Sequence, residues 1–163
     1  MDTSDELRGA DKKEAFHQAA EAKVHTFSFA VPDVDAPNGR INCYHAETDA
    51  CSLVTIIMRN GYFEPAHYHP NQDGIWMVLK GKVRFYGGAH DERTVVLGPM
   101  EGIVQPENSR YWFAHEGDEE AWLLQIGGYP KGKKVAKRVP LDPNEGRIRS
   151  VRVQMRNLPL AEK

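Results

Sequence analysis

The residues with the most evident chemistry are two histidines separated by one position, in Ala66-His67-Tyr68-His69. In an extended strand, residues i and i+2 share a face, so the two imidazoles point the same way. Neutral imidazoles brought this close can bind one transition metal. The same pair can equally line a pocket without metal, satisfied by tyrosine, glutamine or water. Two further reactive groups, Cys43 and Cys51, are too few for a disulfide framework. Reduced thiols and a cytoplasmic location are the expectation.

The elements that must position the histidines read as strands. Val24–Ala30 alternates apolar and polar residues, and Ile41–Glu47 with Cys51–Arg59 forms a hairpin around Thr48-Asp49. Ile75–Lys80, Lys82–Tyr86, Thr94–Leu97, Gly102–Gln105, Tyr111–His115 and Ala121–Ile126 follow, and Ile148–Val153 is one more candidate. Turn residues separate them: Ala36–Arg40, Asn60-Gly61, Gly81, Gly87-Gly88, Gly98-Pro99 and Pro106-Glu107-Asn108. The spacing predicts one helix, Lys12–Ala22, with Asp11 as its cap and Glu14 completing a capping box. Many short strands without intervening helices indicate an antiparallel sandwich or barrel. The chain of 163 residues holds one domain: an extension over 1–23, a barrel over 24–130 and a basic segment over 131–163.

The net charge of −2 demands no nucleic acid and no membrane. Residues 131–163 carry ten Lys or Arg against three acids, +7, which leaves −9 for the rest. That segment lacks the interleaved aromatics of a nucleic-acid platform. It is expected to lie on an acidic body, its own or that of a partner in a homodimer. No apolar run approaches the roughly 20 residues of a membrane span, and no signal peptide is read at the N-terminus.

Gly61, His67, His69 and Gly81 stand at the spacing of the first motif of the cupin superfamily, which the chain resembles over roughly residues 50–127. Gly98, Pro106, Asn108 and Tyr111 stand at the spacing of the second. Asn108 occupies a glycine position, and both residue types tolerate a left-handed turn. The resemblance implies an all-β double-stranded β-helix, a jelly-roll barrel with both histidines facing inside. It also implies a divalent transition metal (Fe, Zn, Ni or Mn) on His67 and His69. The family's carboxylate position is Gly74 here, and its third histidine position is Tyr111. Gln72, Asp73 and Tyr111 are the substitutes that could complete the shell. His115, where the family has asparagine, is expected in a structural hydrogen bond. Trp76 and Val78 continue the inward face of Gly74, and Phe113 shares the face of Tyr111, so these three are candidate substrate contacts. Glu64 is expected at the surface.

Three functions are consistent with this pattern. The first is a metal-dependent, dioxygenase-like enzyme acting on a small organic molecule, aromatic ones included. The second is a metal-independent isomerase, epimerase or cyclase using a histidine such as His69 as base and Tyr111 as acid. The third is a non-catalytic small-molecule binder.

Overall fold

In the computed structural model, residues 3–36, 39–59, 61–130, 138–142, 150–155 and 158–159 are described, with side chains from residue 12 to 155. Most of the basic residues of 131–163, and parts of the turns read at Ala36–Arg40 and Asn60-Gly61, lie outside these residues. The chain divides into two units, residues 1–28 with 156–163, and residues 29–155.

The first unit contains α1 (Thr3–Glu21) and β1 (His25–Thr26), which pairs with β13 (Leu158–Pro159). The helix starts at Thr3, earlier than Asp11 predicts. Asp11 therefore lies inside the helix. The predicted strand Val24–Ala30 shrinks to two residues, since only these find a ladder partner.

The second unit is the barrel. Its strands are β2 (Arg40–Glu47), β3 (Cys51–Met58), β4 (Phe63–Tyr68), β5 (Asp73–Lys80), β6 (Lys82–Gly87), β7 (Arg93–Leu97), β8 (Gly102–Gln105), β9 (Tyr111–Glu116), β10 (Ala121–Gly128), β11 (Val139–Pro140) and β12 (Val151–Gln154). A six-stranded sheet runs β12-β2-β3-β10-β5-β8 and a five-stranded sheet runs β11-β4-β9-β6-β7. All pairings are antiparallel except β12 on β2. Two short strands of the C-terminal segment thus join the barrel sheets: β11 extends β4, with Pro140 opposite His67, and β12 borders β2.

Period-2 alternation builds the interior. Val54, Ile56 and Met58 of β3, Trp76 and Val78 of β5, Val83 and Phe85 of β6, Phe113 of β9 and Leu123 of β10 form one buried cluster between the sheets. A second cluster covers the outer side of β2 and β3, where Ala36, Ile41, Cys43 and Ile57 pack with Val151 and Val153. Both cysteines are free, Cys43 buried and Cys51 exposed. Asn108 has φ of 63°, the left-handed turn expected from the motif. Gly81 has φ of 68°, and a Cβ there would lie 2.7 Å from the Glu120 carbonyl oxygen, so the β5–β6 turn requires glycine.

Candidate functional site

A cavity of about 210 Å³ opens into the barrel interior. His67, His69 and Tyr111 meet at it: the ring centroids of His67 and His69 are 5.1 Å apart, and those of His67 and Tyr111 are 4.6 Å apart. β4 and β9 bring them together, with His67 opposite Tyr111 in the ladder. Trp76 and Phe113, 2 % and 1 % exposed, form the apolar floor with their centroids 5.2 Å apart. Gln72, on the turn before β5, is buried and also lines the cavity.

Two residues expected at the site lie elsewhere. Asp73 is exposed, and its Oδ1 accepts a hydrogen bond from the Glu107 backbone N–H at 2.8 Å. The alternation of β5 begins there: Gly74 faces inward, so Asp73 faces out. Val78 is fully buried in the core cluster, one inward step past Trp76, and does not line the cavity. His115 has the structural hydrogen bond expected of it, between Nε2 and the Glu119 carbonyl.

Glu64, expected at the surface, is instead 3 % exposed and lines the cavity. Its Oε2 is paired with Arg40 and accepts from the Tyr62 hydroxyl at 2.7 Å; its Oε1 accepts from Arg138 Nε at 3.1 Å. Strict alternation puts Glu64 and His67 on opposite faces, three residues apart. The ladder of β4 with β9 shifts register between them, and both turn inward. Pro65, a proline inside a strand, is the sequence signal for that irregularity. Arg138 was missed for another reason: it reads as one more cation of a basic segment, whereas β11 delivers it beside β4. Arg40 enters from β2, on the same side as Tyr44.

The electrostatics follow from burial. Desolvation pushes His67 down to about 3, aided by Arg138, His69 and Arg40 and opposed by the Pro65 hydrogen bond. Desolvation, with Arg138 adding to it, pushes His69 down to about 4. Both imidazoles are therefore neutral near pH 7. Burial also lifts the Tyr111 hydroxyl well above the usual phenol range, so it is a neutral donor. The Trp76 indole N–H leans on that hydroxyl without closing a full hydrogen bond.

The nitrogen donors fit the metal that the cupin resemblance implies. His67 Nδ1–H donates to the Pro65 carbonyl at 2.7 Å, which leaves Nε2 as the lone-pair nitrogen. His69 Nδ1 is buried with no hydrogen-bond partner among the described residues. Two imidazoles on one ion, with bonds of about 2.1 Å, have ring centroids roughly 5 Å apart, the separation found. Among the described residues no third His, Cys, Asp or Glu joins them as a ligand set. Tyr111 and Gln72 line the same cavity. A carboxylate at position 74 would meet Trp76, whose Nε1 lies 3.0 Å from an ideal Cβ there.

Comparison with known proteins agrees with this architecture. The cupin domain model matches residues 53–127. No curated protein matches the sequence. Among solved structures, an uncharacterised double-stranded β-helix protein from Klebsiella pneumoniae aligns with TM-score 0.56 and 15 % identity, over 66 % of this chain and 94 % of that one. KdgF from Halomonas sp. aligns with TM-score 0.52 and 18 % identity, over 64 % and 96 %. A recombinant oxalate oxidase in complex with glycolate aligns with TM-score 0.56 and 21 % identity, over 71 % of this chain and 63 % of that one. At these identities the likeness is one of fold. Residues 53–127 are thus a cupin domain by the family model they match, and the barrel around them has the cupin fold.

Proposed function

We propose that this cupin is an enzyme that binds a divalent transition metal through His67 and His69 and acts on a small organic molecule held in the barrel. The observation that carries the reading is the state of the two imidazoles. Both are neutral, and His67 is held by Pro65 so that Nε2 keeps its lone pair. Tyr111 and Gln72 complete or tune the shell, with water in any open position.

Iron or manganese bound there would supply dioxygen activation, in keeping with a dioxygenase-like reaction, and zinc or nickel Lewis-acid polarisation of a substrate oxygen. The chain's own part is positioning. Pro65 fixes the ring of His67, and Trp76 and Phe113 keep water from the floor. The Tyr111 hydroxyl holds its proton and can donate it in a hydrogen bond to a substrate oxygen. A metal-free His/Tyr acid–base pair has less support, because neither side titrates near neutrality and efficient proton transfer favours groups that do.

The test is the metal content of untagged protein beside a His67→Ala/His69→Ala variant whose fold is verified by circular dichroism. Metal near one equivalent in the parent and its loss in the folded variant are expected. A parent that takes up no iron, zinc, nickel or manganese on reconstitution would overturn the reading.

A further inference from the structure

We infer that the cavity wall contributed by the six-stranded sheet is a subsite for hydroxyl groups, built from Gln72, Gln125 and the Ser52–Tyr129 pair, and that the ligand is a small polyhydroxylated aliphatic molecule. The inference deepens the proposed function: it rests on the reading that the barrel holds a small organic molecule and names the class of that molecule, without resting on the metal.

His67, Tyr111 and Glu64 come from β4 and β9 of the five-stranded sheet. The other wall comes from β3, β10 and β5, whose registers define two inward-facing rows. Val54, Gln125 and Trp76 make one row, and Ser52, Gly127 and Gly74 make the next. All of these except the two glycines line the cavity. In the second row the missing side chain leaves a slot. A Cβ at Gly127 would stand 2.4 Å from Gln72 Nε2 and 2.9 Å from Ser52 Oγ. The Gln72 amide therefore lies over Gly127 and next to Ser52, whose hydroxyl shares a 2.9 Å hydrogen bond with that of Tyr129. The strand interior is polar at this point because glycine makes room for an amide.

Gln72 is only 5 % exposed, and neither its amide nor that of Gln125 makes a hydrogen bond among the described residues. A buried amide without a partner is costly, so a polar group in the cavity has to serve it. Carboxamides and hydroxyls carry no charge and both donate and accept. The matching ligand group is one whose single polar atom does both, a hydroxyl, which also reproduces the hydrogen bonds of the water it displaces. Several such positions in one small cavity call for several hydroxyls on one ligand. Trp76 and Phe113, forming the floor, suit the C–H faces of such a molecule. The volume of about 210 Å³ is below the ~300–1,000 Å³ of drug-sized sites, which limits the ligand to a short polyol.

The test is calorimetric titration of the full chain with xylitol and with 1,5-pentanediol, which keeps the chain length and the end hydroxyls and lacks those between. Each titration is run on chelator-treated and on metal-reconstituted protein. Saturable binding of xylitol to both forms is expected, tighter than that of the diol by about 10-fold or more. Gln125→Leu should weaken xylitol about 2- to 10-fold, the weight of one neutral hydrogen bond, and so narrow the contrast. Gly127→Ala should do the same, because its Cβ displaces only the ends of the Gln72 and Ser52 side chains. If neither variant folds, the parent's contrast decides alone. Equal binding of xylitol and diol, binding of neither, or folded variants that keep the full contrast would overturn the inference. Xylitol selectivity in a protein that takes up no metal would leave the subsite standing and sink the metal reading. Metal uptake without that selectivity would do the reverse.

Discussion

Replacing Glu64 by glutamine separates burial from geometry as the source of ion-pair strength. Two of the Arg–Glu arrangements among the described residues differ chiefly in burial. Arg84 donates Nε and Nη2 to the two oxygens of Glu116 at 2.8 and 2.7 Å, on a face where both side chains are a third exposed. Glu64 is 3 % exposed and receives Arg40, Arg138 and Tyr62. Removing one partner of a buried pair costs about 3–5 kcal/mol, because the remaining charge stays buried without its counter-ion. Glutamine keeps the volume and one acceptor oxygen, so the lower end, about 3 kcal/mol, applies. At roughly 2–4 °C per kcal/mol for a chain of this size, the thermal midpoint should fall by about 6–12 °C. Glu116→Gln should leave the midpoint within error of the parent, since water screens that pair. Glu64→Gln/Arg138→Gln should regain part of the loss by removing one of the two guanidinium groups that Glu64 pairs with. Thermal unfolding followed by circular dichroism measures all three. Equal shifts for Glu64→Gln and Glu116→Gln would refute the claim that burial decides.

Acid should destabilise the fold through the histidines. Their pKa values are lower folded (about 3 for His67, about 4 for His69) than unfolded (about 6.5), so the unfolded chain binds more protons. The stabilisation is therefore whole above pH ~6.5 and drains away as the pH falls towards 4 and then 3. A thermal midpoint that stays flat from pH 7 to pH 4.5 in metal-free protein would contradict it. Of the two thiols, only exposed Cys51 should react quickly with an aromatic disulfide reagent, while Cys43, buried and with its thiol pKa raised by desolvation, should wait for denaturant. Two fast thiols would count against the outer cluster around Cys43. Gly74→Glu with Trp76→Phe should hold metal more tightly than the parent in chelator competition, because it adds an oxygen donor. No gain in metal retention would mean that position 74 does not face the imidazoles.

The sequence made the barrel and the histidine pair legible because both depend on short-range regularities. Period-2 strands, the turn at Gly81, the left-handed Asn108 and the His-x-His spacing all survive folding unchanged. The same rule turned Gly74 and Trp76 inward, and it left Asp73 outside. Alternation failed wherever pairing was missing or irregular. Val24–Ala30 has the pattern of a strand but finds ladder partners for His25 and Thr26 alone. Glu64 has the wrong parity for the cavity until the shift at Pro65 and Ala66 is counted. Arg138 gives no local sign at all: its role depends on two residues of β11 pairing with a strand more than 70 positions earlier.

Those failures bear on the chemistry. Residues found by spacing, His67, His69 and Tyr111, are neutral at the pH where the protein works as a fold, and by themselves they describe a site that could take almost any small ligand. Residues found only by tertiary pairing, Arg40, Glu64 and Arg138, carry the charge. The family's carboxylate position is glycine in this chain, and the indole of Trp76 crowds its place. The acid that the cavity does contain is committed to two arginines and a tyrosine. Three of its acceptor positions are taken by those groups. On the proposed reading, a metal on His67 and His69 would take its remaining donors from Tyr111, Gln72, water or the ligand. A ligand that coordinates such a metal is expected to bind with positive coupling to it, each raising the affinity of the other by the same factor.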